Sequence, residues 1–143
     1  MQRSARNKAM DLLSRREHSY SELFAKLKLR NFEANEISQA LDRLQSENLL
    51  NDERFTESYI HFRVKKGFGP LRIKNELSEK GVDSELVQNQ MEQYEPIWSE
   101  LMEQQRIRKF GLEIPEDYKE KMKQARFLQN RGFAAESVMR LFR

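Results

Sequence analysis

Residues 27–41, 77–91 and 128–142 carry one hydrophobic pattern three times, and this recurrence limits the chain to a row of similar supersecondary units. The first copy reads Leu27, Asn31-Phe32, Ile37 and Leu41; the second Leu77, Gly81-Val82, Val87 and Met91; the third Leu128, Gly132-Phe133, Val138 and Phe142. Each copy marks the end of one helix, a turn residue and the start of another. Asparagine and glycine tolerate the left-handed conformation that closes a helix, so Asn31, Gly81 and Gly132 are expected at positive φ. A unit this small cannot bury an apolar face alone, and stacking on a neighbour supplies the missing core. The expected fold is all-α, an elongated array of three tandem three-helix repeats over residues 1–50, 51–95 and 96–143.

Composition agrees with thin cores. Of 143 residues, 34% are charged and only 38% hydrophobic, with a mean hydropathy of −0.89. The absence of cysteine excludes disulfide staples and thiol catalysis, and removes the usual ligands of structural zinc. No signal peptide or membrane span is read from the sequence, so a cytoplasmic protein without a membrane partner is expected. The net charge is +3, but its sign alternates along the chain. Residues 1–30 and 60–75 are basic, whereas 31–59 and 76–100 are acidic. Stacking such units is expected to gather the basic stretches into a stripe that faces a polyanion.

The punctuation of the helices is legible. Ser19 and Glu22 have the spacing of a capping box ahead of Leu23 and Leu27. Asp52 is expected to cap a helix whose inward face is Phe55, Tyr59 and Phe62. Gly67-Phe68-Gly69-Pro70 ends that helix and starts the next, with Pro70 at the first helical position. Asp83 is the expected cap for the helix of Leu86, Val87 and Met91. The third repeat is expected to open at Glu95-Pro96 and to bury Trp98, Leu101 and Met102. Its first connection, Gly111 to Asp117, is longer than its counterparts.

Catalytic constellations are missing. His18 and His61 are far apart and neither pairs with a nucleophile, the acids are spaced like solvated helix faces, and Gly67 and Gly69 lack the context of a phosphate loop. No catalytic residue, metal or cofactor is expected. The segment Ile60–Asn75 stands out instead, with Arg63, Lys65, Lys66, Arg72 and Lys74 and no acid. Its basic side chains flank a helix start, a combination that suits an anion. Phosphate backbones and acidic protein surfaces both fit, and so does simple hydration of the cations while Phe68, Pro70 and Ile73 pack inward.

Asp52-x-x-Phe55, Tyr59, Arg63, Gly67-Phe68-Gly69-Pro70-x-Arg72-Ile73, Glu76-Leu77 and Lys80-Gly81-Val82 closely resemble the central signature of the RecX family, over residues 52–82. The threefold repeat and the overall length extend the resemblance across nearly the whole chain. It implies a small cytoplasmic regulator of three tandem three-helix units that binds in the groove of the RecA–DNA filament. Such a protein inhibits RecA's recombinase and coprotease activities, within DNA repair, recombination and the SOS response, and has no catalytic reaction of its own. The resemblance and the charge pattern together nominate Arg63, Lys65, Lys66, Arg72, Lys74 and Phe68, with Arg15, Arg16 and Lys26, as filament- or DNA-contacting residues. Tyr20 and Phe133 are further aromatic candidates, although Phe133 matches Val82 in the repeat and is expected in the core.

The expected partner is thus the RecA filament, with weak, sequence-independent affinity for single- or double-stranded DNA and a monomeric free state. The alternative is an independent helix-turn-helix-like DNA-binding module. Against it, Ser84–Met91 offers Gln88, Asn89 and Gln90 but no basic residue for a base-reading face.

Overall fold

A computed structural model describes residues 4–143. The described residues are helical, with no strand: α1 (Ala5–Arg15), α2 (Tyr20–Leu29), α3 (Ala34–Ser46), α4 (Asp52–Lys65), α5 (Pro70–Glu79), α6 (Ser84–Met91), a 3₁₀ segment (Glu92–Ile97), α7 (Trp98–Phe110), α8 (Tyr118–Arg131) and α9 (Ala135–Leu141). The repeat is visible in the hydrogen bonds that close α2, α5 and α8. Asn31, Gly81 and Gly132 have φ of 67°, 75° and 108°. At each end the next residue, Phe32, Val82 or Phe133, donates its N–H to the carbonyl of Leu27, Leu77 or Leu128, while the left-handed residue donates to Lys28, Ser78 or Gln129. That pair of bonds is the Schellman closure, made three times from the same sequence pattern.

Helix starts follow side-chain chemistry. The Ser19 hydroxyl accepts the Glu22 N–H at 3.1 Å and the Glu22 carboxylate accepts the Ser19 N–H, completing the expected capping box. Asp83 caps α6 and Asp117 caps α8 through the N–H groups of Leu86 and Glu120. At α4 the cap is Asn51, whose side chain accepts the Arg54 N–H at 3.0 Å, and not Asp52. Asp52 lies one residue inside the helix and accepts the Tyr20 N–H at 2.8 Å instead.

Two further expectations are corrected. Phe62 is 54% exposed and Ile60 is buried in its place. A helix advances about 100° per residue, so Phe62 lies within about 20° of the buried Phe55; that face is covered at the start of α4 and open at its end, where the neighbouring stripe of Thr56 and Ile60 is the buried one. The third repeat's first α-helix begins at Trp98, with Pro96 inside the 3₁₀ segment. The backbone stays in the right-handed helical region from Met91 onward, so the chain tightens at this point without a fresh side-chain cap.

The chain forms two compact units, one of residues 1–59 and 77–87, the other of residues 60–76 and 88–143. In the first, α1 and α2 pack on α3 around Ala5, Ala9, Leu12, Leu23, Leu27, Ile37, Leu41 and Leu44. In the second, α7, α8 and α9 pack together, and Ile60, Ile73, Trp98, Met102, Leu128, Phe133 and Val138 are buried. Arg106 is 1% exposed there; its guanidinium gathers the carbonyls of Gly111, Leu112 and Glu113 and the Gln124 side chain. The long connection after α7 is thereby anchored from below by a buried arginine.

Candidate polyanion-binding site

Phe68 is the centre of the second unit's charged face. Gly67, at φ 86°, turns the chain out of α4 and Pro70 starts α5, which leaves the Phe68 ring half-buried between the two helices. The guanidinium carbons of Arg63, Arg72 and Arg131 lie 3.9, 4.2 and 4.4 Å from its centroid. Stacking of this kind orients planar cations while leaving their edges free to donate hydrogen bonds. Arg63 donates to both Glu76 oxygens, at 2.9 and 2.7 Å, and Arg72 reaches the same carboxylate at 3.3 Å and the Asn130 carbonyl at 3.2 Å. Arg131 donates to the Lys66 carbonyl and to Gln105 Oε1, and among the described residues no carboxylate pairs with it. Burial pushes the Arg131 guanidinium below its usual value, and the charges of Arg72, Arg63 and Arg108 push the same way.

The backbone at this turn is closed. Gly69 N–H donates to the Arg131 carbonyl at 2.8 Å and Leu71 N–H to the Gly132 carbonyl at 2.9 Å. An anion cradle built on free N–H groups at the start of α5 is therefore corrected: those two donors belong to the α8 terminus.

The nine residues nominated from the sequence sort into distinct settings. Arg63, Phe68 and Arg72 come together. Lys65 is exposed and forms no ion pair among the described residues, and Lys66 lies over the exposed Phe62 ring, 4.5 Å from its centroid. Lys74 lines a groove of about 600 Å³ with Leu71, Trp98, Met102, Phe133 and Arg140. Sequence reasoning missed Arg131, although the signal was present. Arg30-Asn31, Lys80-Gly81 and Arg131-Gly132 place a cation before the left-handed residue in every copy. Arg131 also extends the face to Phe127, whose ring lies 5.8 Å from it and 5.7 Å from Lys109.

In the first unit the nominated cations are already engaged. Arg15 pairs with Asp11 at 3.2 Å, and Arg16 grips both oxygens of Glu22 at 3.1 and 2.9 Å. Lys80 approaches Glu22 at 3.3 Å. Burial alone would raise the Glu22 carboxyl, but the hydrogen bonds and charges of Arg16 and Lys80 outweigh it and hold the value at about 2. His18 is buried; its Nδ1 donates to the Arg16 carbonyl, so Nε2 accepts from the Lys26 ammonium at 2.9 Å. Burial pushes the imidazole below its usual value, and the nearby charges of Arg16 and Lys26 add to the shift. Burial likewise lowers Lys26.

Both Glu22 and His18 are depressed in the folded state, so each stabilises the fold above its unfolded value and loses that contribution as pH falls. The His18 contribution is expected to fade below pH 6.5, and the Glu22 contribution, on the order of 2 kcal/mol, between pH 4.5 and about 2. Thermal midpoints measured from pH 7 to pH 3 should therefore fall in two stages. Glu22→Gln should lower the midpoint at pH 7 and erase the second stage; a second stage that persists unchanged would assign it to other carboxylates.

Among the described residues, no group of three or more His, Asp or Glu side chains is placed to hold a metal ion, and no helix is long and apolar enough to cross a membrane. Family models for the first, second and third three-helix domains of RecX match residues 5–44, 51–89 and 99–142. The regulatory protein RecX of Pseudomonas fluorescens (strain SBW25) is 41% identical over 138 residues, covering 96% of this chain and 89% of that protein. The chain belongs to the RecX family. The regulatory protein RecX of Halorhodospira halophila is 38% identical over 135 residues, 94% of this chain and 84% of the relative. The crystal structure of RecX from Lactobacillus salivarius superposes with a TM-score of 0.78 at 22% identity, over 96% of this chain and 94% of that one. A second crystal structure of a regulatory protein RecX gives 0.80 at 21% identity, over 96% and 69%. Both share the fold of three tandem three-helix units, and membership in RecX gives this chain a regulatory role.

Proposed function

We propose that this chain binds the RecA–DNA filament and inhibits RecA's recombinase and coprotease activities, so regulating recombination and repair. The observation that carries the reading is the Phe68 cluster, where three guanidiniums meet one carboxylate and leave a surplus of positive charge on an ordered surface. Arg63, Arg72, Lys65, Lys66 and Lys74, with Phe68, contact DNA phosphates or acidic subunit surfaces; Arg15, Arg16 and Lys26 form the contribution of the first repeat. The repeats take residues 1–50, 51–95 and 96–143, and the free protein is a cytoplasmic monomer that catalyses no reaction. A bound regulator alters filament turnover by its different affinity for filament states.

The test is ATP turnover by preformed RecA filaments on single-stranded DNA as the protein is titrated in, beside a DNA-only binding control. The expected result is a dose-dependent fall in turnover at concentrations too low to coat bare DNA. Tight binding to DNA alone, with turnover and strand exchange unchanged, would favour the independent DNA-binding module.

A further inference from the structure

We propose that the Arg63, Arg72 and Arg131 guanidiniums around Phe68 form a phosphate subsite for single-stranded nucleic acid, with Glu76 as its displaceable internal counter-ion. The inference rests on the nucleic-acid contact in the preceding reading and adds a residue from the third repeat, a ligand class and a means of control.

Charge is the first reason. Three cations within 4.4 Å of one ring centroid share a single paired carboxylate, and Arg131 is partly desolvated without an acid of its own among the described residues. Its Nε is buried and has no hydrogen-bond acceptor. Mutual repulsion in such a cluster is relieved by a further anion, and relief is larger where water is partly excluded. Geometry is the second reason. Glu76 takes the Nε and Nη2 donors of Arg63 and the Nε donor of Arg72, so an incoming anion competes with it for those edges. A tetrahedral phosphate presents acceptor oxygens in more directions than a planar carboxylate, so it can accept from all three guanidiniums at once.

The surroundings favour a nucleic acid over an acidic protein surface. Cations and rings alternate outward from the cluster, with Lys66 on the exposed Phe62 ring and Lys109 and Arg131 near Phe127. Interleaved cations and aromatic faces are the pattern that tracks a single strand, pairing phosphates with charge and bases with rings.

Fluorescence anisotropy of a labelled oligo(dT) strand, with the full-length protein and no recombinase, tests this. Glu76→Gln is expected to tighten binding by about three- to tenfold and Arg131→Gln to weaken it by a similar factor with a shallower salt slope. The exposed Glu100→Gln controls for net charge. Arg131→Lys keeps the charge but loses the fork, and should recover less than half of the lost affinity on a logarithmic scale. The proposal is overturned if Glu76→Gln matches Glu100→Gln, or if Arg131→Gln binds like the parent. It is also overturned if Glu76→Gln strengthens filament inhibition without strengthening oligo(dT) binding, since the competing anion is then a protein carboxylate. Filament ATP turnover, measured on the same samples, separates the two readings. A parent protein that inhibits turnover while the variants show no difference defeats the subsite alone; one that does not inhibit turnover defeats the regulatory reading.

Discussion

Gly132→Ala is expected to lower stability by about 3 kcal/mol or more, and the thermal midpoint by roughly 10 °C, because two independent costs fall on one atom. Gly132 sits at φ 108°, where an L-residue is strained by about 1–2 kcal/mol. A Cβ built there would also lie 2.5 Å from the Arg72 Cβ, 2.9 Å from the Arg72 nitrogen and 3.0 Å from the Gly69 carbonyl oxygen. Two of those neighbours are backbone, so the contact is relieved only by prising the α4–α5 turn away from the end of α8. That movement breaks the Gly69 and Leu71 hydrogen bonds as well. Three other glycines calibrate the claim. Gly111 has φ 96° but open space around it, so Gly111→Ala should cost about 1 kcal/mol, the conformational part alone. Gly69 is outside the positive-φ region but would place its Cβ 2.6 Å from the Gly132 carbonyl, so Gly69→Ala isolates the steric part. Gly81 combines φ 75° with a collision against Ser21, whose Oγ can rotate away but whose Cβ, 2.4 Å off, moves only with its backbone, so Gly81→Ala should cost clearly more than Gly111→Ala. Chemical denaturation of the four variants gives the order directly. Equal losses at Gly111 and Gly132 would mean that the close approach of the two turns carries no energy.

That comparison also shows what a sequence reveals and what it conceals. The left-handed closures were legible because they depend on local chemistry: a residue type that tolerates positive φ, placed after a leucine at fixed spacing and repeated three times. The Ser19 capping box was legible for the same reason. The Phe62 assignment failed because Phe62 shares a face with the buried Phe55, and only tertiary packing decides that this face is covered at one end of α4 and open at the other. Asn51 and Asp52 are both good caps, and the choice between them turned on Tyr20, whose N–H claims Asp52 from far along the chain. The candidate site was half legible. Charge density marked residues 60–75, but the partner of each cation did not follow from that density. Glu76 lies one residue beyond the acid-free segment and engages both Arg63 and Arg72. Arg131 arrives from a different repeat, through a fold-level contact that no local window contains.

Lys65→Glu combined with Lys66→Glu is expected to raise the protein concentration needed for half-maximal inhibition of filament ATP turnover by about 10- to 100-fold, with helical content unchanged. These two lysines make the cleanest functional probe because the fold makes little use of their charge. Lys65 is exposed and unpaired among the described residues, and Lys66 is exposed over a surface ring. Arg63 is a poorer choice, since removing it takes two hydrogen bonds from Glu76 and one cation from the Phe68 ring, mixing stability with binding. Lys119→Glu supplies the contrast on the same charge scale: that side chain is exposed near the start of α8, outside the residues proposed for contact, and its reversal should change inhibition much less. If polyanion contact drives inhibition, the double variant's deficit shrinks as salt rises, because the parent loses its electrostatic advantage over the same range. A deficit independent of salt would point to a lost local contact in place of a charge effect. An inhibition curve identical to the parent's would take both lysines out of the site and leave the arginine cluster to account for binding alone.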